Sequence, residues 1–554
     1  MNRPWTYIRK TGWQGSSLCF AAIIVAATCG TSSWAQSTAP LPHLVTNSGH
    51  HALIVDDAPY LILGAQANNS SNWPAQLPMV WPAIEALGAN TLEIPVSWEQ
   101  IEPVEGHFDF SYVDTLLDQA RSHHVRLVLL WFGTWKNNSP SYTPEWVKTN
   151  NGRFPRVIDK TGDRKPSLSP VFAETLKADS KAFATLMRHI KATDPQHTVI
   201  MMQVENETGT YGSVRDYSPT ANKLFDGPVP KELINARHLH PGTWTEVFGK
   251  DADEFFHAWY VSRFVDQVAA AGKAELDLPM YVNAALRDPL KYQDPVTYSS
   301  GGPTWNVLDI WKAGAPHIDI IGPDIYMPDT SSYMATLRSY DRPDNPLFVP
   351  ETGRGFNYGR YLFSVLGRGA IGFSPFGMDF TRDANEPAMI PPDAATKLEP
   401  FPDNYHMIAP MARQWAQLAF DGQVRGVSEA DDREAQTLDL GRWTATVTYG
   451  MPAFGNANYP PNFKPIPRDS RGADGGVIVA RIGADEFLVA GRMARIEFSP
   501  KPLTGKHMQF VRVEEGHFVD GKWVLHHVWN GDQTDWGLNL STVPRILKVT
   551  LGTY

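Results

Sequence analysis

The sequence predicts a (β/α)₈ barrel of the TIM type followed by a smaller, all-β, sandwich-like domain. Three observations carry this expectation. Eight near-continuous apolar runs alternate with helical patterns between residues 60 and 376, as parallel strands covered on both faces should. Beyond residue 421 the runs become short and alternating, with tight-turn dipeptides between them, the pattern of an antiparallel domain. No Gly-rich phosphate loop follows the first strand. That absence disfavours an open doubly wound sheet, the other fold that alternating strands and helices build.

The chain begins with Arg3, Arg9 and Lys10, an apolar stretch Leu18–Cys29 and the small-residue site Ser33-Trp34-Ala35. This is the pattern of a secretory signal peptide over residues 1–35, cut before Gln36. Its apolar run is too short to stay as a spanning helix, and no later stretch is apolar enough to span. Cleavage takes the formal charge from −10 to −13, because three cations and no acid leave. Both cysteines, Cys19 and Cys29, leave as well. The mature chain is therefore expected in the periplasm or outside the cell, held together without disulfides. Its oligomeric state is not legible.

Residues 40–421 carry the barrel. The candidate strands are Tyr60–Ala65, Thr91–Trp98, Arg126–Gly133, Thr198–Glu205, Met280–Ala285, Ile318–Tyr326, Pro346–Glu351 and Ala370–Phe376. Between them, Val113–Ser122, Phe172–Lys191 and Asp253–Ala271 place apolar residues at helical spacing. Asn404–Phe420 is the expected closing helix, which Pro410 should kink. Residues 422–554 follow as the β-domain. Its expected strands are Thr444–Tyr449, Gly476–Ile482, Glu486–Ala490, Ala494–Phe498, Met508–Val513, Lys522–Trp529 and Arg545–Leu551. Asp520-Gly521 and Asn530-Gly531 supply turn signals, and the Pro-rich stretch Tyr459–Pro467 reads as a long ordered loop.

Composition excludes several classes. The charge is negative and no run of five Lys or Arg occurs, which argues against nucleic acid as a partner. The 17 His include no H-E-x-x-H or similar spacing, so no metal is expected, and no organic cofactor is implied. No G-x-S-x-G elbow is present, which disfavours a serine hydrolase.

Two carboxylate-bearing strand ends remain. Gln203-Val204-Glu205-Asn206-Glu207 ends the fourth candidate strand and Phe348-Val349-Pro350-Glu351 ends the seventh. Active residues of such barrels sit at the C-terminal ends of strands. A carboxyl pair brought together from two strands is what glycosidic bond cleavage needs: one gives a proton to the leaving oxygen, the other attacks or supports the sugar carbon. The 144 positions from Glu207 to Glu351 make three βα units of 48 each, so long loops should surround the site. Glu205 is an alternative acid, since a residue two positions earlier on a strand faces the same side. Trp98 and Trp135, at strand ends, are candidates for stacking on a sugar. Tyr326, ending the sixth strand, is a candidate donor to Glu351.

The strand-four motif resembles the acid/base segment of the retaining β-galactosidases of glycoside hydrolase family thirty-five. Trp98, Glu102-Pro103, Gly106 and Phe108-Asp109-Phe110 resemble that family's second-strand segment. The resemblance covers roughly residues 50–380. It implies that Glu207 is the acid/base, Asn206 the contact to the sugar 2-hydroxyl and Glu351 the nucleophile. Retention of configuration is likewise implied by the resemblance and not by spacing. Three segments depart from the family pattern: Thr352 follows the nucleophile, the third strand ends in Phe132-Gly133-Thr134-Trp135, and the first reads Gly64-Ala65-Gln66-Ala67-Asn68. They suggest a divergent bacterial branch with an appended β-domain. The implied function is an exported retaining exo-β-galactosidase acting on oligo- or polysaccharides, xyloglucan side chains among them. The alternatives are another retaining β-glycosidase of the same clan and a non-catalytic carbohydrate-binding barrel.

Overall fold

The computed structural model describes residues 40–381, 389–449, 472–502, 505–519 and 521–554. The expected signal peptide and the Tyr459–Pro467 stretch lie outside them. The chain first forms an antiparallel three-stranded sheet, β1 (His43–Asn47), β2 (His50–Val55) and β3 (Ala58–Tyr60). Sequence analysis assigned no separate sheet here and gave Tyr60 to the barrel.

Eight parallel strands then close into a barrel. They are β4 (Ile62–Gln66), β5 (Thr91–Ser97), β6 (Arg126–Lys136), then, after the hairpin β7 (Arg156–Ile158) and β8 (Arg164–Leu168), β9 (Val199–Asn206), β10 (Met280–Ala285), β11 (Ile320–Ile325), β12 (Phe348–Thr352) and β13 (Gly372–Pro375). Each corresponds to one expected run. The strands are legible because helices cover them outside and the barrel core fills them inside, so apolar residues occupy both faces.

The lower interior is one apolar layer. Ile62, Val128, Ile200, Ile320 and Phe348 meet Leu53, Val55 and Tyr60 from the small N-terminal sheet. That sheet therefore stoppers the end where the strands begin. Polar side chains are left to the opposite end. The closing helix divides as Pro410 requires, into Phe401–Ile408, a tight turn Ala409–Met411, and Ala412–Phe420.

The last part of the chain forms two antiparallel sheets. One contains β14 (Val424–Ser428), β17 (Gly476–Arg481), β18 (Glu486–Arg492), β20 (Met508–Val519), β21 (Lys522–Val528) and β23 (Arg545–Thr553); the other contains β15 (Gln436–Asp439), β16 (Trp443–Tyr449), β19 (Ala494–Pro500) and β22 (Leu538–Leu540). Val477, Val479, Phe487 and Val489 of the larger sheet pack on Trp443, Ala445, Ile496 and Leu538 of the smaller. Alternate residues of the larger sheet, Ile478, Ala480, Leu488 and Ala490, belong to the barrel's own core. Strands β17 and β18 are thus buried on both faces. β14, β15 and β22 were not expected from the sequence, being only three to five residues long.

Candidate active site

A buried acid forms the floor of the open end. Glu93 on β5 accepts hydrogen bonds from Ser374 on β13 and from Tyr281 on β10, the latter at 3.1 Å. Burial pushes its carboxyl up to about 8, against the effect of both donors. Gly64 on β4 is required for this contact, because a Cβ there would stand 1.9 Å from Ser374 Oγ and 3.1 Å from Glu93 Oε1.

Glu351 lies above, on β12. Its Oε2 accepts from Gln66 Nε2 at 3.0 Å, and its Oε1 accepts from the Tyr326 hydroxyl. Tyr326 directly follows β11 and exposes part of its ring to the cleft. Both nucleophile-candidate oxygens are therefore oriented by neutral donors, as a carboxylate acceptor needs.

Glu207 follows the end of β9. Its backbone N–H donates to Asn283 Oδ1 at 2.9 Å, and its carbonyl accepts from Asn138 Nδ2 at 2.9 Å. Burial, then the charge of Glu351, push its carboxyl up to about 7, while Lys136 pulls the other way. Asn206, just before it, is fully buried, and neither its Oδ1 nor its Nδ2 has a partner among the described residues. A buried amide with both ends unpaired is costly unless something binds it, so a ligand hydroxyl is its natural partner.

Glu207, Asp324 and Glu351 each place one carboxyl oxygen within 4.8 Å of the others. Asp324 sits on β11 in register with Glu351 of β12. Sequence analysis did not single it out. The available signal was alternation, since Asp324 precedes Tyr326 by two residues on an otherwise apolar strand. Gln66, Glu93, Lys136, Tyr281 and Asn283 were also missed: Glu93, Tyr281 and Asn283 are polar residues inside apolar runs, and Gln66 and Lys136 stand where such a run gives way to asparagines.

Three expectations need correction. Glu205 does not share a side with Glu207. Both have positive φ, 64° and 45°, and the left-handed backbone breaks the two-residue alternation. Glu205 instead enters the layer between strand and helix, where its Oε2 accepts from Trp135 N–H at 2.7 Å and its carboxyl meets Asp179. Trp98 and Trp135 do not face a sugar. Each is at most 1% exposed. Trp98 donates to Glu102 Oε2 at 2.9 Å and stands edge-on to Trp146; Trp135 stands edge-on to Phe264. Their size and their places at strand ends draw them into the core around the barrel.

Beside Tyr326 the cleft continues into a cavity of about 640 Å³, lined by Asn68, Asn69, Gln76, Arg354 and Phe376 among others. It belongs to the loops that follow β4, β12 and β13. Among the described residues no helix is long and apolar enough to cross a membrane.

Residues 81–262 match the family model of glycoside hydrolase family 42, described as Beta-galactosidase. The match covers about a third of the chain; it includes Glu205–Glu207 but stops before Asp324 and Glu351. The β-galactosidase level of the expected resemblance is therefore met, by family 42 and not by family thirty-five. Residues 401–541 match a domain of unknown function, DUF5597. No curated protein sequence matches the chain. Similar solved structures include β-galactosidases from Rahnella sp. R3 (16% identity over 65% of this chain and 61% of that one, TM-score 0.44), Bacillus circulans sp. alkalophilus (14%, 64% and 57%, 0.45) and Marinomonas ef1 (13%, 64% and 61%, 0.44). The aligned region spans 57–61% of the length of those proteins.

Proposed function

We propose that the chain is an exported retaining exo-β-galactosidase that removes terminal β-linked galactose from oligo- or polysaccharides, galactosylated side chains such as those of xyloglucan included. The observation that carries this reading is the pairing of Glu207 with Glu351. One oxygen of each lies within 4.8 Å of the other, which is compatible with the separation of about 5–5.5 Å between carboxyl groups that retaining enzymes use. Glu207, pushed up to about 7, keeps its proton near neutral pH and serves as the acid. Glu351, fixed by Gln66 and Tyr326, attacks the anomeric carbon.

In the first step a Glu351 oxygen bonds to the anomeric carbon as the bond to the leaving oxygen breaks. The proton of Glu207 goes to that oxygen. In the second step Glu207 takes a proton from water, which displaces Glu351 and leaves the sugar with its original configuration. Asn206, with its unpaired amide, binds the sugar 2-hydroxyl. The finer reading, a divergent branch with the strand-four motif of family thirty-five, rests on Gln203–Glu207.

The test is turnover of a panel of aryl β-glycosides, with the configuration of the first-formed sugar read by NMR. Retained galactose from the wild type is expected. Glu351→Ala should lose ordinary turnover and, given azide, form one equivalent of inverted glycosyl azide. An inverted product from the wild type would make Glu351 a general base. Sugar binding without any turnover would leave a carbohydrate-binding barrel.

A further inference from the structure

Resting on the glycosidase reading and going beyond it, we propose that the cavity beside Tyr326 is a second sugar-binding subsite, so that the galactose transferred to Glu351 is accepted with a further neutral sugar attached to its far side. One side chain belongs to both sites: the Tyr326 hydroxyl donates to Glu351, and its partly exposed ring lines the cavity. Phe376 is a second aromatic part of the wall. Its backbone bridges to Gln66, the other residue that holds Glu351, and its N–H donates to the Thr352 carbonyl at 2.9 Å. The cavity therefore begins one ring away from the nucleophile. Its direction decides which part of a substrate it meets. The leaving oxygen lies against the acid, Glu207, after β9. In the closed strand order β13 stands four places from β9, directly across the barrel, with β4 and β12 on either side of it. The loops after these three strands wall the cavity. The leaving group thus departs on one side of the barrel, and the cavity opens on the other, toward the far end of the transferred sugar.

Size and chemistry name the ligand. The cavity, about 640 Å³, falls within the range of about 300–1,000 Å³ typical of small-molecule sites. It shares Arg354 and Thr381 with a neighbouring cavity of about 580 Å³. Asn68, Asn69, Ser70, Gln76 and Thr381 bring amides and hydroxyls, groups that both donate and accept as sugar hydroxyls do, and none of the lining residues is acidic. Tyr326 and Phe376 supply ring faces for the apolar C–H side of a sugar. Arg354, the cation of the wall, donates to the Gly377 carbonyl at 3.1 Å, which leaves mainly neutral groups to meet a ligand. The walls are also fixed in place. Buried Asp379 accepts from Asn68 N–H at 2.7 Å, from Asn68 Nδ2 at 2.8 Å, from the Ser71 hydroxyl at 2.9 Å and from Thr381 N–H at 2.9 Å. One carboxylate thus ties the loop after β4 to the loop after β13, its charge met by these donors. A site held in this way loses little freedom when a sugar enters.

The test uses the full chain and two kinds of substrate: an aryl β-galactoside, and the same compound carrying an α-linked galactose on its 3-, 4- or 6-hydroxyl. A β-retaining enzyme leaves the α bond intact. Release of the aryl alcohol from the second kind therefore reports transfer of a whole disaccharide to Glu351 and then to water, and mass spectrometry of the sugar identifies it. At least one of the substituted compounds is expected to turn over with kcat/KM within about tenfold of the parent. Ser70→Trp, which fills the cavity, should lower the ratio of that value to the parent's by about tenfold or more. Gln76→Ala, which removes one amide, should lower the ratio by about three- to tenfold. Equal thermal melting checks the folding of each variant, and the ratio cancels a loss common to both substrates. Substituted compounds left intact by a wild type that turns over the parent would overturn the proposal and leave the glycosidase reading standing, as would a ratio unmoved in both variants. A wild type inert on the parent and on every substituted compound would overturn both.

Discussion

Glu205 and Glu207 are the same residue type two positions apart, and their surroundings give them different work. Each occupies a left-handed conformation, which costs a non-glycine residue about 1–2 kcal/mol. That cost is sustained because the twist sends one carboxyl outward to Asp179 and the other into the cleft. Glu207 is raised to about 7 by burial and by Glu351. The acid form therefore persists below that value and is lost above it. For galactosides of poor leaving group, kcat/KM should fall about tenfold per unit above roughly pH 7. Glu207→Ala should remove that limb and slow such substrates by about 10²–10⁴-fold, with a smaller loss in the first step for activated aryl galactosides. Rates across a leaving-group series check this. An equal loss for every leaving group would deny Glu207 the acid role.

Among elements, the third and fourth barrel strands are tied at their ends to the helix Ala173–Thr193. Asp179 of that helix accepts from Trp131 Nε1 at 2.9 Å, from Thr134 N–H at 2.9 Å and from the Thr134 hydroxyl. Glu205 of β9 completes the cluster, and burial followed by the Asp179 charge holds its proton on. Gly133 makes the approach feasible, since a Cβ there would stand 2.7 Å from Glu205 Oε1 and 2.8 Å from Asp179 Oδ2. Asp179→Ala would strand several buried donors at about 1–3 kcal/mol each, and a loss of about 3 kcal/mol or more in urea unfolding is expected. Glu205→Gln keeps the geometry, with its amide donating to Asp179. A raised folded-state value means that wild-type stability declines as pH rises from the ordinary carboxyl range toward that value. The Gln variant lacks this decline, so its stability relative to wild type should improve between pH 5 and pH 8.5. The contrast marks what the sequence could show. Strands such as Leu127–Phe132 were legible because both faces are apolar. Glu351 and Glu207 were legible because a carboxyl ends such a run. Asp324, Glu93 and Asn283 were not, since each is a lone polar residue whose partners come from strands distant in sequence. Trp98 and Trp135 misled because position at a strand end does not specify which side of the barrel a ring enters.

At the scale of the whole molecule, the larger β-sheet is as much a wall of the barrel as a part of the sandwich. Residues Ile478, Ala480, Leu488, Ala490 and Ile546 bury one face against the barrel core, while Val477, Val479, Phe487, Val489 and Leu547 bury the other in the sandwich. Contact with the helix Tyr361–Leu366 is close enough to require small residues: a Cβ on Gly476 would lie 2.1 Å from the Phe363 ring, and one on Gly426 would lie 2.3 Å from the Phe363 carbonyl. Polar groups finish the joint. Ser364 and Ser428 exchange N–H to hydroxyl bonds at 3.1 and 3.0 Å, and the buried Arg360 donates to the Glu429 carbonyl at 2.8 Å and pairs with Asp431 at 2.6 Å. Arg360 immediately precedes a helix that packs against β13, the neighbour of the strand carrying Glu351. Deleting the chain after Asp421 would uncover Tyr361, Phe363 and their neighbours, each large buried side chain contributing about 1.5–3 kcal/mol, and would take Glu429 and Asp431 from the buried Arg360. The truncated barrel should aggregate or melt far below the intact chain, and a contiguous apolar surface of this kind is the expected cause. A milder probe is Gly426→Val, which wedges the joint without removing either side; it should lower the melting temperature by several degrees and, through the displaced helix, weaken turnover. Light scattering and thermal unfolding of both variants check the argument. A soluble, fully active barrel ending at Asp421 would instead make the β-domain a separable module, and its role would have to be sought in binding.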